Sequence, residues 1–256
     1  MTVYVITGNK LDYPLPESYR PLLVGANFNP VPVGYLADNV GDNISEKNHE
    51  YCELTGLYWL WHHSSDNFIG LSHYRRYFAN YQNRKQMDFH IMISGKVHPA
   101  SDDALQNQLS NFDWIVAQPL KLDAESNWRF YQEFHHIEDL QKTREIIKED
   151  FPPYVVAFDH FMHHSNRLSP YNMFYTTRDN LNSYCKWLFH ILHRLEEQTD
   201  LSGYDQYQRR LYGFIAERLL NVWLQAHDNL RVNYLPVFKT TEVNRRHVLK
   251  LIKEKF

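Results

Sequence analysis

The chain has 256 residues, of which 43% are hydrophobic and 15% aromatic, and its formal net charge is -3. This length fits one α/β domain, and the slightly acidic balance excludes a protein that binds nucleic acid through general charge attraction. No apolar run approaches the about 20 residues that a bilayer-spanning helix needs. Cys52 and Cys185 stand in apolar helical patterns rather than in a CxxC spacing. We therefore expect a cytoplasmic protein with reduced cysteines. Because a strand pattern begins at once at the N-terminus, we expect no signal peptide.

The first predicted strand covers residues 3–7 and is followed by Gly8, Asn9 and Lys10. In α/β proteins, ligands bind where the strands of the sheet end. Thr7, Asn9 and Lys10 are therefore candidates for contacts with a ligand, and an ordinary turn is the alternative.

The segment after residue 41 predicts the first long helix. Apolar residues recur at steps of three and four between Tyr51 and Trp61, which indicates one continuous helix. Asp42 and Asn43 stand at its predicted start, where free N–H groups and the helix dipole attract anions. We interpret both as candidates for contacts with a ribose or base, with simple capping as the alternative.

Residues 68–78 combine a predicted buried strand with a dense cationic cluster. The apolar beginning of this stretch suits a strand, and His73, Arg75 and Arg76 follow within four positions. Guanidinium groups at the end of a buried strand are costly unless an anion meets them, and Arg is well shaped to bind pairs of phosphate oxygens. We interpret the cluster as an anion site, for a diphosphate, and structural salt bridges are the alternative.

Alternating strand and helix patterns fill the rest of the chain. Strands are predicted over residues 22–25, 91–93, 112–117, 171–175 and 234–237. Helices are predicted over residues 102–109, 128–150, 154–164, 179–195 and 207–225. This order indicates an α/β protein with a largely helical C-terminal part.

Histidine and acidic side chains in the predicted helix over residues 128–150 are candidates for substrate contacts. His135 and Asp139 would lie one turn apart, as an oriented base or a substrate clamp. The alternative is a packed histidine without a function. Neighbours such as His135 and His136 point about 100° apart on a helix, and the chain has no HExxH motif or Cys/His ladder. We therefore expect no metal site.

Glu217 and Arg218 are charges within an apolar helical stretch. Each needs a specific partner, because the burial of an unpaired charge costs several kcal/mol. A buried ion pair that braces the fold is the alternative to a functional role. The tail from Arg245 to Lys255 is basic and amphipathic. It is either a solvated helix or a weak contact with an anionic leaflet at the inner face of the membrane.

Successive motifs resemble those of one bacterial family. They stand at residues 42–48, 51–59, 70–78, 172–174 and 213–220. That family was long labelled as a domain of unknown function. It occurs in capsule, exopolysaccharide and O-antigen gene clusters, and its members include glycosyltransferases, galactofuranosyltransferases among them. The resemblance covers nearly the whole chain. It departs at Asn9, where the family usually has His.

The resemblance implies a GT-A-like glycosyltransferase fold, with a central, mostly parallel sheet flanked by helices and a helical C-terminal part. Within a single domain of residues 1–256, residues 1–120 would bind the nucleotide sugar, residues 121–240 would bind the acceptor, and residues 241–256 form the basic tail. GT-A enzymes carry an Asp-x-Asp motif that holds a metal on the donor diphosphate, and this chain has His73-Tyr74-Arg75-Arg76 in the corresponding place. We therefore expect metal-independent transfer, with the cations of that segment and Lys10 on the diphosphate.

The implied reaction moves a sugar from a nucleotide donor, a UDP-sugar such as UDP-galactofuranose, to a hydroxyl of a lipid-linked or oligosaccharide acceptor. The resemblance also implies inversion at the sugar carbon and cooperation with other polysaccharide-assembly enzymes. An inverting enzyme needs a carboxylate base, and the candidates are Asp205, Glu217 and Asp139. The candidates for acceptor or sugar contacts are His135, His136, Asn172 and Arg218. The alternative functions are a non-catalytic carbohydrate- or nucleotide-binding module and a phosphoesterase, although the chain lacks a ligand set for the latter.

Overall fold

The computed structural model describes residues 2–243, so the predicted tail lies outside the described residues from position 244 onward. The strands are β1 (Thr2–Thr7), β2 (Tyr19–Leu23), β3 (Leu36–Ala37), β4 (Phe68–His73), β5 (Arg76–Phe78), β6 (Trp114–Ala117), β7 (Leu120–Lys121), β8 (Arg167–Leu168), β9 (Phe174–Thr177), β10 (Val232–Leu235) and β11 (Val237–Lys239). The helices are α1 (Asn48–Tyr51), α2 (Leu54–His63), α3 (Arg84–Ser94), α4 (Asp102–Gln108), α5 (Asn127–Phe134), α6 (Ile137–Asp150), α7 (Val155–His164), α8 (Arg178–Glu197) and α9 (Leu211–Ala226). Short 3-10 turns cover Ser45–Lys47, Pro152–Tyr154, Gln208–Arg210 and Thr240–Glu242.

The central sheet has the strand order β10-β6-β9-β4-β1-β2-β3. Strands β2 and β4 run parallel to β1, β3 runs parallel to β2, and β10 runs parallel to β6. Strand β9 is antiparallel to both of its neighbours, β4 and β6. The carboxyl ends of β1, β2, β4 and β6 therefore share one edge with the amino end of β9. This mostly parallel sheet confirms the predicted fold class.

Side chains that alternate along β1 divide the core into two parts, one on each face of the sheet. Tyr4 and Ile6 pack with residues of α2, α6, α7, α8 and α9. Val3 and Val5 pack with residues of α3 and α4 on the opposite face. Helices thus cover both faces, as the prediction required. Within residues 2–243, no helix is both long and apolar enough to cross a membrane.

Gly70 allows β4 to pass under an aromatic ring of β9. A Cβ atom at this position would lie 2.6 Å from the ring of Tyr175 and 3.0 Å from the side chain of Val3. Both distances are too short for an unstrained contact, so the close packing of the central strands requires glycine here.

The first predicted helix is broken into α1 and α2. The chain kinks at Cys52, whose φ of 53° lies in a region that residues other than glycine rarely occupy. The prediction of one continuous helix is therefore wrong. The sequence does not reveal the kink, because the kink leaves the apolar spacing intact. Tyr51, Leu54 and Leu57, on both sides of the kink, are all fully buried.

Residues 91–93 belong to α3 and not to a strand. The side chain of Asn83 caps this helix, and Gly95 ends it with a φ of 73°. Met87 and Ile91 are buried one turn apart, which is a helical spacing. The short apolar run over residues 91–93, taken alone, resembles a strand.

The predicted helix over residues 128–150 is two helices, α5 and α6. His135 and His136 are extended between them, with ψ values of 171° and 109°. The two sides of this break make different contacts, because His135 packs on a ring of α9 and Asp139 accepts a hydrogen bond from the hydroxyl of Tyr204. The expected pairing of His135 with Asp139 is therefore wrong.

Candidate functional site

A cavity of about 1030 Å³ opens at the edge where β1 and β4 end. Its wall contains polar and charged side chains at the sheet edge and apolar or aromatic side chains farther away. The residues at the sheet edge include Thr7, Gly8, Asn48, Cys52, Glu53, His73, Arg76, Tyr171, Arg210, Glu217 and Arg218. The residues of the apolar part are Leu120, Leu122, Phe130, Leu168, Tyr207 and Phe214, with His135 beside them. The cavity has the size and mixed lining of a ligand site, at the edge of the sheet where α/β proteins bind ligands.

Two of the four arginines that line the cavity, Arg76 and Arg210, face its polar part beside an aromatic ring. Arg76 lies 4.2 Å from the centre of the Tyr171 ring. Arg210 lies 5.5 Å from the centre of the Phe214 ring, and its Nε donates to Cys52 Sγ at 3.3 Å. Among residues 2–243, neither Arg76 nor Arg210 forms an ion pair with a carboxylate. Aromatic rings hold both cations in place. The carboxyl group of Glu53 interacts electrostatically with both but forms no ion pair with either, so both guanidinium groups can still bind an anion.

His73 lines the same part of the cavity but carries no charge near neutral pH. Its Nε2 donates to the carbonyl oxygen of Tyr171 at 2.6 Å. Burial, and then the nearby Arg76, lower the pKa of His73 to about 4. His73 therefore orients Tyr171 and contributes no positive charge of its own.

The other predicted cations of the diphosphate site do not line the cavity. Arg75 is exposed, and its guanidinium lies 4.7 Å from the centre of the Tyr74 ring. Lys10 is exposed beyond the end of β1. Of the four predicted cationic contacts, the structure brings only His73 and Arg76 to the cavity.

Two carboxylates, Glu53 and Glu217, lie near each other in the cavity wall. Glu217 Oε1 accepts from the backbone N–H of Tyr171 at 2.9 Å, and its Oε2 lies 3.3 Å from Arg218 Nη1. Glu53 Oε1 accepts from Asn172 Nδ2 at 2.7 Å. Burial raises the pKa of both carboxyl groups, and the charge of Glu53 raises that of Glu217 further. A carboxylate with a raised pKa in a cavity is suited to accept a proton near neutral pH.

A strained turn connects these side chains. Tyr171 and Asn172 have φ values of 76° and 50°, which is the left-handed region that favours glycine. Consecutive residues of this turn donate one hydrogen bond each to Glu217 and Glu53. The ring of Tyr171 also holds Arg76. Backbone strain persists where the surroundings impose it, often at functional sites, so we regard this turn as the support of the cavity's charged groups.

Arg218 and Asn172 are placed in or directly behind the cavity wall. Arg218 is almost fully buried, donates to the carbonyl oxygen of Phe214 at 3.0 Å, and lies 5.2 Å from the centre of the Tyr131 ring. Asn172 does not line the cavity but reaches it through Glu53. Both predicted residues therefore support the wall.

Asp139 and Asp205, the other predicted bases, lie outside the cavity. Asp139 is buried under the hydroxyl group of Tyr204, which donates to its Oδ2 at 2.9 Å. Asp205 is exposed, and its Oδ1 accepts from the backbone N–H of Gln208 at 2.7 Å, which closes the loop before the 3-10 turn that precedes α9. Of the three predicted bases, the structure brings Glu217 alone to the cavity.

Of the three predicted nucleoside contacts, Thr7 lines the cavity, and Asp42 and Asn43 do not. Thr7 lines the cavity, and its hydroxyl closes the turn after β1 by donating to the carbonyl oxygen of Asn9 at 2.6 Å. Asp42 lies outside the cavity, 3.5 Å from the ring of His62. Asn43 also lies outside the cavity, and its Oδ1 accepts from the backbone N–H of Ser45 at 3.1 Å in the turn before the 3-10 turn over Ser45–Lys47.

His135 lines the cavity, whereas His136 does not. The ring of His135 lies 4.2 Å from that of Phe214, and burial lowers its pKa to about 4. The ring of His136 lies 4.2 Å from that of Tyr204, on the outer side of the break between α5 and α6.

The cavity residues without a predicted role include Glu53, Arg210 and Tyr171. Glu53 stands in a family-like motif, and Arg210 follows another Arg before a long helix, so each carried a weak signal in the sequence. Nothing in the sequence marks Tyr171 for a left-handed conformation, since glycine or asparagine is the usual residue there.

The residues at the end of β4 do not fit a divalent cation. The metal ion of GT-A glycosyltransferases is held by carboxylate oxygens. This position instead holds the imidazole of His73, whose Nε2 donates to a carbonyl group, and the cation Arg76. Across residues 2–243, no three His, Cys, Asp or Glu side chains are grouped so that they could hold a metal ion.

A family model described as a domain of unknown function, DUF4422, matches residues 2–228. The chain is also similar to the apo structure of WbbM, a bifunctional glycosyltransferase, with a TM-score of 0.80 and 25% sequence identity. The similarity covers 93% of this chain and 45% of that one, so the chain spans a little under half of the length of the WbbM structure. No curated protein matches the sequence.

Proposed function

The chain belongs to the DUF4422 family, and we propose that it is a glycosyltransferase that moves a sugar from a nucleotide donor to a saccharide hydroxyl. The similarity to WbbM supports the reaction class. The observation that carries the proposal is the pair of guanidinium groups, Arg76 and Arg210, which face the cavity at the sheet edge without an ion-pair partner among residues 2–243. A diphosphate is a ligand with the negative charge to meet both.

The donor diphosphate would lie between Arg76 and Arg210. When the bond between the sugar and the diphosphate breaks, its electron pair stays on the diphosphate oxygen and adds negative charge there. Fixed cations that face the leaving oxygen stabilise this charge. They would replace the metal ion that other GT-A enzymes use, so we propose that transfer is metal-independent.

Glu217 is the proposed base. In the reaction, its carboxylate takes the proton of the acceptor hydroxyl, and the acceptor oxygen forms a bond to the sugar carbon as the bond to the diphosphate breaks. Attack from the side opposite to the leaving group inverts that carbon. Glu217 is suited to this step because its side chain is 23% exposed, lines the cavity, and has a raised pKa.

The finer assignments rest on the family resemblance. We propose a UDP-sugar as the donor, UDP-galactofuranose as the first to test, and an acceptor that is a lipid-linked or oligosaccharide precursor of a bacterial surface polysaccharide. Other enzymes of polysaccharide assembly would supply that acceptor.

The test is the release of nucleoside diphosphate from a panel of UDP-, GDP-, CMP- and dTDP-sugars, with and without saccharide acceptors. We expect release from one nucleotide class, and strong loss of it in Arg76→Ala. Binding of a nucleotide without any release or transfer would instead support a non-catalytic binding module. Neither binding nor release from any member of the panel would overturn the proposal.

A further inference from the structure

We propose that the aromatic part of the cavity is the subsite for the acceptor and that it binds a sugar ring. This aromatic shelf consists of Phe130, His135, Tyr207 and Phe214. The assignment of this subsite to the acceptor rests on the proposed function. The binding of a sugar ring can be tested without the proposed function.

Three rings of the shelf, those of His135, Tyr207 and Phe214, contact one another. The centre of the Phe214 ring lies 4.2 Å from that of His135 and 5.1 Å from that of Tyr207. The planes of the His135 and Tyr207 rings are nearly parallel, with 15° between them and 6.0 Å between the ring centres. Tyr207 is 53% exposed, so much of this large aromatic side chain is open to a ligand. Sugars present a face of C–H groups that packs on such rings, and Tyr combines an apolar ring with a polar tip.

His135 adds a hydrogen-bond acceptor to this surface. Gln208 donates through its Nε2 to the carbonyl oxygen of Phe134 at 2.8 Å, which turns its Oε1 toward His135 Nδ1 at 3.2 Å. The proton of the neutral imidazole therefore lies on Nδ1, and Nε2 is left as an acceptor. A sugar hydroxyl donates to such a nitrogen, whereas a lipid chain has nothing to donate.

The position of the shelf agrees with an acceptor. Phe214 and Glu217 are three residues apart on α9 and line the same cavity, so they project from one face of the helix. Arg210, on the side of the proposed diphosphate, lies 6.0 Å from the centre of the Tyr207 ring. A sugar ring on the shelf would thus stand beside both the proposed base and the proposed leaving group.

The polar rim favours a sugar over an alkyl chain. Gln206 and Arg209 line the cavity next to Tyr207, and their polar groups can pair with the hydroxyls around a sugar ring. An alkyl chain at the same place would separate these groups from water without offering them a partner.

The test is saturation-transfer NMR with a panel of methyl glycosides of galactose, glucose, mannose and N-acetylglucosamine. We expect signal on the ring protons of at least one glycoside with the wild-type protein, a loss of about fivefold or more in affinity in Tyr207→Ala, and retention in Tyr207→Phe. Phe134→Ala is the matched control, because Phe134 is 47% exposed beside Phe130 but does not line the cavity. It should bind like the wild type.

Addition of UDP separates this proposal from the donor site. We expect the glycoside signal to persist with saturating UDP. Displacement by UDP, equal binding in Tyr207→Ala, or binding of octyl but not of methyl glycosides would each overturn the sugar shelf. If UDP-sugars are never hydrolysed but the glycoside result holds, the proposed catalysis fails and the sugar site stands.

Discussion

Replacing Glu217 by glutamine removes the proposed base while it keeps the shape of the side chain. Glu217 Oε1 accepts from the backbone N–H of Tyr171 at 2.9 Å, and the amide oxygen of glutamine can keep that hydrogen bond. Glutamine cannot take the proton of the acceptor hydroxyl. We therefore expect kcat for transfer to fall by about 10²–10⁴-fold.

The same substitution also affects stability, and this effect must be separated from catalysis. Arg218 is 3% exposed and loses its carboxylate partner, although it keeps the hydrogen bond to the carbonyl oxygen of Phe214. The removal of the costly buried charge of Glu217 opposes this loss, so we expect the free energy of unfolding to change by about 1 kcal/mol or less at neutral pH. In a chain of this size, that shifts Tm by roughly 2–4 °C, and a protein of ordinary stability stays folded at about 25 °C.

The pH dependence gives a second signature. The pKa of Glu217 is raised above its ordinary value of 4.5, mainly by burial. The transfer rate should therefore fall as the pH drops through this raised pKa, and this decline should be absent from the residual activity of Glu217→Gln. The stability contribution has the opposite direction: it is present below pH 4.5 and is lost as the pH rises through the raised pKa, because ionisation is costly in the folded state.

The assay is release of nucleoside diphosphate across the acid range, with the folded fraction followed by circular dichroism. Asp139→Asn is the matched control, since Asp139 is a buried carboxyl group with a raised pKa that lies outside the cavity. It should keep kcat and the acid decline. The reasoning is refuted if the activity lost in Glu217→Gln equals the fraction unfolded, or if the acid decline persists in that variant; Glu217 would then only brace Arg218.

Further predictions concern the metal and the packing. Transfer should proceed at the same rate with a chelator as with added manganese; activity that vanishes with the chelator and returns with manganese would contradict the proposed role of the arginines. Gly70→Ala should lower the free energy of unfolding in urea by about 1–3 kcal/mol, because the new Cβ would lie 2.6 Å from the Tyr175 ring, whereas Gly203→Ala, with nothing within 4 Å, should change it little. Asp38→Ala should cost about 3 kcal/mol or more, because this buried carboxylate accepts hydrogen bonds from two backbone N–H groups and two hydroxyls; a melting temperature equal to that of the wild type would contradict it.

Apolar periodicity predicted most strands and helices but not the places where the chain bends. The strands β1 and β4 and the long helix α8 lie where the patterns placed them, because each buries a face with a regular period. The kink at Cys52 and the break at His135 leave that period almost unchanged. The break at His135 follows from contacts with α9, and such distant contacts cannot be seen in local spacing.

The candidate site was predictable where a motif concentrates unusual residues. Arg76 and Glu217 stood out because charges in apolar surroundings need a partner. Glu53 and Arg210 did not, since their meeting at one cavity depends on the sheet order and the kink at Cys52. Arg75 illustrates the converse. It shares the motif, yet it belongs to the turn between β4 and β5 and lies outside the cavity.

Calorimetric titration with UDP, GDP, CMP and dTDP tests the central claim most directly. The account predicts that one nucleotide binds the wild-type protein and that Arg76→Ala and Arg210→Ala each weaken it by about 10-fold or more, as expected for a lost charge-assisted hydrogen bond. Arg75→Ala, outside the cavity, should bind like the wild type. If no nucleotide binds, or if Arg76→Ala and Arg210→Ala bind as tightly as Arg75→Ala, the cavity is not a diphosphate site and the account is contradicted.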